Sequence, residues 1–435
     1  MKRLNLSWVL FLLIACSSPK SDPSNCPVAD IRAGLENPKS LKLSDEIESV
    51  DYVPLEVTSD DASLIDGVAN YAVTDKYIYV LPVKEQRIVL FDRQGHFIKT
   101  LIPFGQGPGE FSGFVASMQA DEKNDRLYLF STDRVEVYTL DGEPVQHFTH
   151  DYQIIFQYKL GLGHLAAVSM PYVPFQNGSF GIGLFTEKGD TITMKNDFSS
   201  PLVSNDKSGL TVRIAAGYSG RQQSVLFKTG SNDTVFRLSD DKISPACVLS
   251  LRNSDEEMIN SLDVTNFNSL KNFGNGKDYF VSDLFETPRR YYFRLRNNDG
   301  HYVASVDKKT GEALVEKCEQ PASLKELAAT TLQHGLLGTR SYQGFPVWGN
   351  MTGNDLVQVI TSAELDYYKN IRSILIPEQL KNLGEESNPV FIFYLIAGII
   401  GVTSNGVYKD LVIWGGVALL FALLQFICSV FMRKE

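Results

Sequence analysis

The sequence predicts an all-β fold, a β-propeller, and three observations carry that prediction. A short unit recurs along the chain at intervals of about fifty residues. Within each unit apolar and polar residues alternate, as strands with one buried face require. A Gly or Asp follows at a fixed place, where a tight hairpin needs a positive φ. A helical repeat would not alternate with period two, and the interval slightly exceeds the ~40–45 residues of a four-stranded propeller blade.

The repeat is clearest in two neighbouring copies. Residues 77–80 (YIYV) and 87–101 (RIVLFDRQGHFIKTL) correspond to residues 127–130 (LYLF) and 134–148 (RVEVYTLDGEPVQHF). In four copies an aromatic residue lies four positions before the turn residue, in the pairs Phe91/Gly95, Tyr138/Gly142, Phe185/Gly189 and Phe236/Asp240. A fifth and looser copy pairs Val306 with residues 307–311 (DKKTG). The sequence itself therefore shows four clear blades and one weaker one.

A family resemblance supplies the number of blades. Residues 69–111 resemble an NHL-type repeat, in which a strand pair is followed by Arg-Ile-x-x-Phe-Asp-x-x-Gly. The chain from Glu46 to Leu395 resembles the six-bladed β-propeller lipoproteins of Gram-negative bacteria. The supporting pieces are residues 52–56 (YVPLE), 107–111 (GPGEF), 232–238 (NDTVFRL) and 388–390 (NPV). The resemblance implies a six-bladed propeller over residues 46–396, closed by pairing a strand near residues 50–57 with residues 390–395, which hides both sheet edges.

Short helical insertions interrupt the β pattern. Residues 255–272 and 323–337 have partly helical spacing, and residues 362–383 hold two further short helices, the second led by Pro377. Such insertions on propellers usually lie on one rim. They either shape a binding face or only cover the surfaces of the blades.

The glycine-rich residues 103–113 (PFGQGPGEFSG) raise the question of a phosphate-binding loop. A phosphate cradle has a strand before it, a helix after it and free backbone N–H groups. Here Pro108 removes an N–H, Glu110 adds a negative charge, and the following stretch is predicted as a strand. We therefore expect a crossover between blades, in which the glycines permit a sharp path.

The N-terminus is typical of an exported lipoprotein. Residues 1–15 are predicted as a signal peptide, with Lys2 and Arg3 before an apolar run. Residues 13–16 (LIAC) resemble a bacterial lipobox, which implies cleavage before Cys16 and a diacylglycerol on its sulfur. Residues 16–45, rich in Ser, Pro, Asp and Lys, are predicted to be a lipidated, flexible tether.

The C-terminus is predicted to cross a membrane. Residues 411–432 (LVIWGGVALLFALLQFICSVFM) would rise roughly 33 Å as a helix, enough for a hydrocarbon core of about 30 Å. Arg433 and Lys434 then lie in the cytoplasm, which places the propeller outside it. The shorter apolar run of residues 390–402 is interpreted as a strand over 390–395, and the alternative is a second span in a hairpin with the last helix. A helical span favours the periplasmic face of the inner membrane, and the outer membrane is the alternative.

Composition excludes some classes of partner. The formal net charge of −10 is spread without long runs, so we expect no nucleic-acid partner. Of five cysteines, Cys16 is assigned to lipid and Cys428 to the span, and a Cys247–Cys318 disulfide or buried free thiols fit equally well. No CxxC motif or His/Cys spacing indicates zinc, and we predict no metal site and no cofactor.

Two short stretches are candidate ligand-binding sites. Arg289 and Arg290 stand next to two tyrosines and could offer cations to an anionic ligand, although strand alternation points two of these four side chains into the sheet and favours a structural role. Tyr342 and Trp348, with Phe345, would form an aromatic platform for a sugar or a peptide, or would pack in the core. No nucleophile elbow and no H-E-x-x-H motif occur, so no catalytic residue is predicted.

These patterns favour a binding protein over an enzyme. We expect a lipid-anchored, extracytoplasmic propeller that acts as a scaffold or sensor for a protein, peptide or glycan in the cell envelope, held to the membrane by Cys16 and the last helix. This expectation rests on analogy of fold. The alternative is a propeller enzyme, a metal-dependent lactonase-like hydrolase or a lyase with its site at the central channel. A signalling subunit, whose last helix relays binding to a membrane partner, is a third hypothesis.

Overall fold

The computed structural model is a six-bladed β-propeller, in which each blade is a four-stranded antiparallel sheet. It describes residues 26–39, 41, 46–84, 87–107, 109–149, 154–169, 182–195, 215–228, 233–240, 242–251, 279–297, 300–318, 347–349, 353, 355–369, 377–384 and 386–396. The prediction of an all-β, six-bladed fold is confirmed.

Blades 1 to 3 follow one another along the chain, and each runs from its innermost strand A to its outermost strand D. Blade 1 consists of β2 (Val68–Val73), β3 (Tyr77–Pro82), β4 (Arg87–Asp92) and β5 (Phe97–Pro103). Blade 2 consists of β6 (Ser117–Asp121), β7 (Arg126–Phe130), β8 (Arg134–Tyr138) and β9 (Pro144–Thr149). Blade 3 consists of β10 (Ile154–Lys159), β11 (His164–Ser169), β12 (Ile182–Thr186) and β13 (Thr191–Lys195).

Blades 4 to 6 complete the ring. Blade 4 consists of β14 (Ala215–Ser219), β15 (Ser224–Lys228), β16 (Thr234–Ser239) and β17 (Lys242–Val248). Blade 5 consists of β18 (Phe280–Glu286), β19 (Arg290–Asn297), β20 (Gly300–Asp307) and β21 (Ala313–Cys318). Blade 6 consists of β22 (Val347–Trp348), β23 (Asp355–Ile360), β24 (Val390–Ile396) and β1 (Ile47–Pro54).

Blade 6 closes the ring with strands from both ends of the domain. β1 pairs with β24 from Ile47 opposite Ile396 to Pro54 opposite Val390. This confirms the predicted closure, and it shows that the apolar residues 390–396 form a buried strand rather than part of a span.

The apolar core is divided into six clusters, one between each pair of neighbouring blades. The cluster between blades 1 and 6, for example, packs Ile78 and Phe91 against Phe391 and Phe393. Because both faces of each sheet are covered by a neighbour, strands such as β3 and β15 are almost continuously buried. No blade buries its apolar surface alone, so the ring stabilises each of its members.

The hairpin turns between strands C and D confirm most of the repeat. Gly95, Gly142 and Gly189 have φ of 89°, 93° and 88°, and Gly311 in the looser copy has φ of 74°. At Gly95 a Cβ atom would also lie 2.3 Å from the Pro54 carbonyl oxygen, so no side chain fits. The prediction of a positive φ at Asp240 is wrong.

Residues 26–39 differ from the predicted flexible tether. Asp30 caps the short helix α1 (Ile31–Glu36), with its Oδ1 accepting a hydrogen bond from the Ala33 amide at 3.1 Å. Ile31 and Leu35 are buried in the cluster between blades 4 and 5. Apolar residues spaced four apart, hidden among polar neighbours, attach this segment to the propeller.

The other predicted helices have different outcomes. Residues 362–383 contain α2 (Ser362–Lys369) and a 3-10 turn (Glu378–Leu380) that Pro377 precedes, as predicted. Several predictions fall outside the described residues: the helical insertions at residues 255–272 and 323–337, the signal peptide at 1–15, the lipid site at Cys16 and the span at 411–432. Within the described part of the chain, no helix is long and apolar enough to cross a membrane.

Candidate binding face

The connections between strands differ sharply in length at the two ends of the blades. Because neighbouring strands are antiparallel, the A–B and C–D turns emerge at one end, here called the turn face, and the B–C and D–A connections at the other, the loop face. Between the described strands, connections at the turn face have two to six residues. All connections of twelve or more residues belong to the loop face, and they are residues 55–67, 104–116, 170–181, 196–214, 249–279, 319–346 and 361–389. Long connections on a rigid frame are where binding sites concentrate.

Asn388 orders the loop face where the ring closes. Its side chain is buried, and its Oδ1 accepts a hydrogen bond from the Ile65 amide at 2.8 Å. Its Nδ2 donates to the carbonyl oxygens of Glu56 at 2.7 Å and Ser63 at 2.8 Å. One amide side chain therefore fixes residues 55–67 against the end of the connection that leads into β24.

The glycine-rich loop after β5 is a crossover between blades 1 and 2, as predicted. Glu110 Oε2 accepts a hydrogen bond from the Gly107 amide at 2.7 Å, so this backbone N–H is not free to bind a phosphate. A Cβ atom on Gly105 would lie 1.9 Å from the same oxygen, so a side chain there would displace the Glu110 carboxylate. The buried Phe111 meets Phe104 edge to face, with ring centroids 5.4 Å apart.

The loop face around blade 1 exposes apolar side chains. Leu64, Val83, Phe104 and Phe114, together called the blade 1 apolar group, are 38%, 57%, 38% and 73% exposed. Arg87 holds part of this region in place, since its guanidinium donates to the Leu64 carbonyl oxygen at 2.9 Å. Contiguous patches of exposed apolar side chains mark surfaces that bind a partner, whereas single ones are normal.

The predicted cationic site lies at the opposite end of the molecule. Arg290 is nearly buried at the turn face of blade 5, where it donates to Ser305 Oγ at 3.0 Å and lies 3.7 Å from a Glu46 carboxylate oxygen. Arg289 is exposed, and its Nε lies 3.3 Å from Asp307 Oδ2. Both guanidinium groups thus have protein carboxylates as neighbours.

The predicted aromatic platform is only partly described. Trp348 lies in the innermost strand of blade 6, but its side chain and the whole of Tyr342 lie outside the described residues. Arg289 and Arg290 lie at the start of strand B of blade 5, and Trp348 lies in strand A of the neighbouring blade 6. Ligand binding by these four residues remains a prediction.

An ion cluster that the sequence did not reveal joins blades 4 and 5. Glu286 is buried, and its two carboxylate oxygens accept from Arg237 Nη1 and Nη2, both at 2.7 Å. The Lys308 ammonium donates to the same carboxylate. Burial by itself would raise the pKa of Glu286, but the charges of Arg237 and Lys308 outweigh it and lower the pKa to about 2. This inter-blade ion cluster fixes the angle between two blades.

Side-chain contacts join the innermost strands of neighbouring blades. The Gln119 side chain bridges to blade 3, accepting from the Lys159 amide at 2.7 Å and donating to its carbonyl oxygen at 3.2 Å. Tyr158 and Tyr218 stack with centroids 5.9 Å apart. Among the described residues, no three or more His, Cys, Asp or Glu side chains are grouped as metal ligands.

Comparison with known proteins identifies the class and the family. The chain is a six-bladed propeller that belongs to the DUF4934 family, a domain of unknown function whose family model matches residues 26–395. A crystal structure of a Bacteroides fragilis protein described as exported is similar, with a TM-score of 0.62 and 16% identity, over 82% of this chain and 98% of that one. A DUF4221 protein of Bacteroides vulgatus gives a TM-score of 0.44 and 10% identity, over 80% and 96% of the two chains. No curated protein matches the sequence.

Proposed function

We propose that this chain is a lipid-anchored, extracytoplasmic scaffold or sensor whose loop face binds a protein, peptide or glycan of the cell envelope. The observation that carries the proposal is the asymmetry of the propeller, in which the long connections between the described strands all lie at one face. A closed ring with six interlocked apolar clusters holds such connections on a rigid support. The fold that the chain shares with an exported protein supports the location.

Anchoring is part of the same proposal. A diacylglycerol on Cys16 binds the bilayer through its methylene groups, at roughly 0.8 kcal/mol for each one buried. The helix predicted over residues 411–432 supplies the second anchor and favours the inner membrane. With both anchors the propeller stays at the membrane surface, where an envelope partner meets it.

The blade 1 apolar group is the part of the loop face that we assign to the partner. Phe114 is its most exposed member, and a bound partner would cover its ring. Burial of an aromatic side chain supplies much of the binding energy at protein interfaces. Contacts to such a ring also suit the sugar faces of a glycan.

The test is a crosslinked pull-down of the full chain from envelope membranes, read by mass spectrometry. We expect a stoichiometric envelope partner with the natural chain and at least a tenfold loss of it with Phe114→Lys. The matched control is Leu162→Lys at the turn face, since Leu162 is 77% exposed and Phe114 is 73% exposed. Equal recovery from both variants would contradict the assignment of the loop face, and recovery of the protein alone would contradict the scaffold.

A further inference from the structure

The segment before the propeller meets the outer strand of blade 4 through backbone hydrogen bonds. Val28 and Val248 form a parallel bridge. The Val248 amide donates to the Pro27 carbonyl oxygen at 2.9 Å, and the Ala29 amide donates to the Val248 carbonyl oxygen at 2.8 Å. Cys26 immediately precedes Pro27, and Cys247 immediately precedes Val248. The hydrogen bond between Val248 and Pro27 therefore brings two cysteines together that are far apart in sequence.

The two thiols have different surroundings. Cys247 is fully buried in the cluster between blades 4 and 5, whereas Cys26 is half-buried, and both are free thiols in this structure. The register of β16 and β17 shifts between Val235 and Phe236, so Ala246 and Cys247 are buried in succession. Burial raises the pKa of the Cys247 thiol, and the Cys26 thiol raises it further.

We propose that Cys26 and Cys247 form a disulfide when the chain is in an oxidising compartment, and that this bond fastens the N-terminal segment to blade 4. The proposal rests on the extracytoplasmic location proposed above. The oxidant is the disulfide of a thiol oxidoreductase of that compartment. The Cys26 thiolate attacks this disulfide, and Cys247 then displaces the oxidoreductase, so that two thiols lose two protons and two electrons and the oxidoreductase leaves as a dithiol.

The disulfide would fasten a segment that forms part of the core of the propeller. Ala29, Ile31 and Leu35 fill the cluster between blades 4 and 5, and the Lys39 amide donates to the Val315 carbonyl oxygen at 2.7 Å. Cys26 lies only ten residues after Cys16, the predicted lipid attachment site. The disulfide therefore fixes the point at which the membrane tether leaves the propeller, close to blades 4 and 5.

Peptide mapping of the full-length protein tests the pair directly. Trypsin separates the three cysteines of the exported domain into residues 21–32, 243–252 and 318–325. Membranes are treated with N-ethylmaleimide, and the protein is digested without reductant. We expect the peptide of Cys26 linked to that of Cys247, with Cys318 alkylated; a link between Cys247 and Cys318 would overturn the proposal.

The melting temperatures of two variants test whether the disulfide stabilises the protein. Dithiothreitol should lower the melting temperature of the natural chain by about 5 °C, because the bond closes a long loop. Cys26→Ser should melt at that lower temperature with or without reductant, whereas Cys318→Ser should behave as the natural chain does. An unchanged melting temperature for Cys26→Ser would overturn the proposed role of the bond.

A second experiment tests the pairing of Cys26 with Cys247 separately from the proposed oxidising location. The purified, reduced protein is treated with oxidised glutathione and mapped again. Absence of the linked peptide here would overturn the pair itself. Its presence here, with both cysteines alkylated in the sample from cells, would support the pair and contradict the oxidising location.

Discussion

The turn face and the loop face of this propeller use the same strands in opposite ways. At the turn face, short hairpins bring polar side chains of adjacent blades into direct contact. Arg93 pairs with Asp355 at 3.0 Å across blades 1 and 6, and Lys159 with Glu187 of the same blade at 3.5 Å, next to the Tyr128 hydroxyl of blade 2. At the loop face the chain runs on for up to thirty-one residues between strands.

The difference teaches how one ring combines a fixed geometry with a variable surface. Contacts between blades at the turn face, such as that of Arg93 with Asp355, join residues within or next to a hairpin, so rotation of one blade against the other would break them. The loop face contributes fewer of these contacts between blades. Where the ring closes, the Asn388 side chain holds residues 55–67 in place. Stability should therefore respond to changes at the turn face, and recognition to changes at the loop face.

The largest expected effect concerns Glu286. Glu286→Gln removes the charge between Arg237 and Lys308 and leaves two partly buried cations facing each other, so the free energy of unfolding should fall by about 3–5 kcal/mol. Urea unfolding measures it. The control Glu378→Gln affects a surface pair with Lys381 and should change stability by less than about 0.5 kcal/mol. Similar losses of stability from both variants would contradict the claim that contacts at the turn face stabilise the propeller.

The pH dependence of the free energy of unfolding should reflect the ionisation of Glu286. The pKa of Glu286 in the folded protein is about 2, below its ordinary value of 4.5, so its contribution is present above about pH 4.5. It is lost as the pH falls through the folded pKa near 2. The difference in stability between the natural chain and Glu286→Gln should therefore shrink on acidification from pH 5 towards pH 2. A difference that stays constant over this range would show that the ion pairs do not carry the effect.

A smaller effect is expected at the loop face from Asn388→Ala. The change leaves the Ile65 amide and two carbonyl oxygens without their partner, at a cost of about 2–3 kcal/mol. Hydrogen exchange should accelerate at Ile65 and remain unchanged at the Asp75 amide on the turn face, which donates to Glu122 Oε2 at 2.8 Å. The exposed Asn37→Ala is the control and should alter neither. Faster exchange at both faces would mean that the two faces are not independent.

The smallest effect tests a recurring tyrosine. Tyr79, Tyr128 and Tyr292 are each the third residue of strand B, and their hydroxyls donate to Leu140 O, Glu187 Oε1 and Glu46 Oε1, respectively, of the next blade. Tyr79→Phe should lower the free energy of unfolding by about 1 kcal/mol, measured in urea. Tyr77→Phe is the control, because its hydroxyl has no hydrogen-bond partner among the described residues, and a loss as large there would refute a specific role of the Tyr79 bond.

Local patterns predicted the fold well because hairpins and strands are local. The glycine turns at residues 95, 142, 189 and 311 follow from the need for a positive φ, which nearby residues determine. Asp240 shows the limit of the argument. Its carboxylate instead accepts a hydrogen bond from the Leu162 amide of blade 3 at 2.9 Å, a partner that lies 78 positions away.

The candidate site was predicted less well, for the same physical reason. Alternation places Arg290 on one face of its strand but says nothing of Glu46, which lies before the first strand and becomes its neighbour only when the ring closes. The segment over residues 26–39 was predicted to be a tether because only three of its side chains, those of Ala29, Ile31 and Leu35, are buried. Its attachment depends on a gap between two blades, which a local pattern does not contain.

The sequence by itself determined the blade repeat, most of the hairpin turns and the blade-to-blade crossover at residues 103–113. Each of these follows from backbone conformation or from the alternation of buried and exposed residues over a few positions. Only the tertiary structure decided which charges meet, as in the pairing of Glu286 with Arg237 at a separation of 49 positions. It also decided that Cys26 lies beside Cys247. Ring closure sets these contacts, because the geometry of the whole circle fixes which side chains face each other across a blade interface.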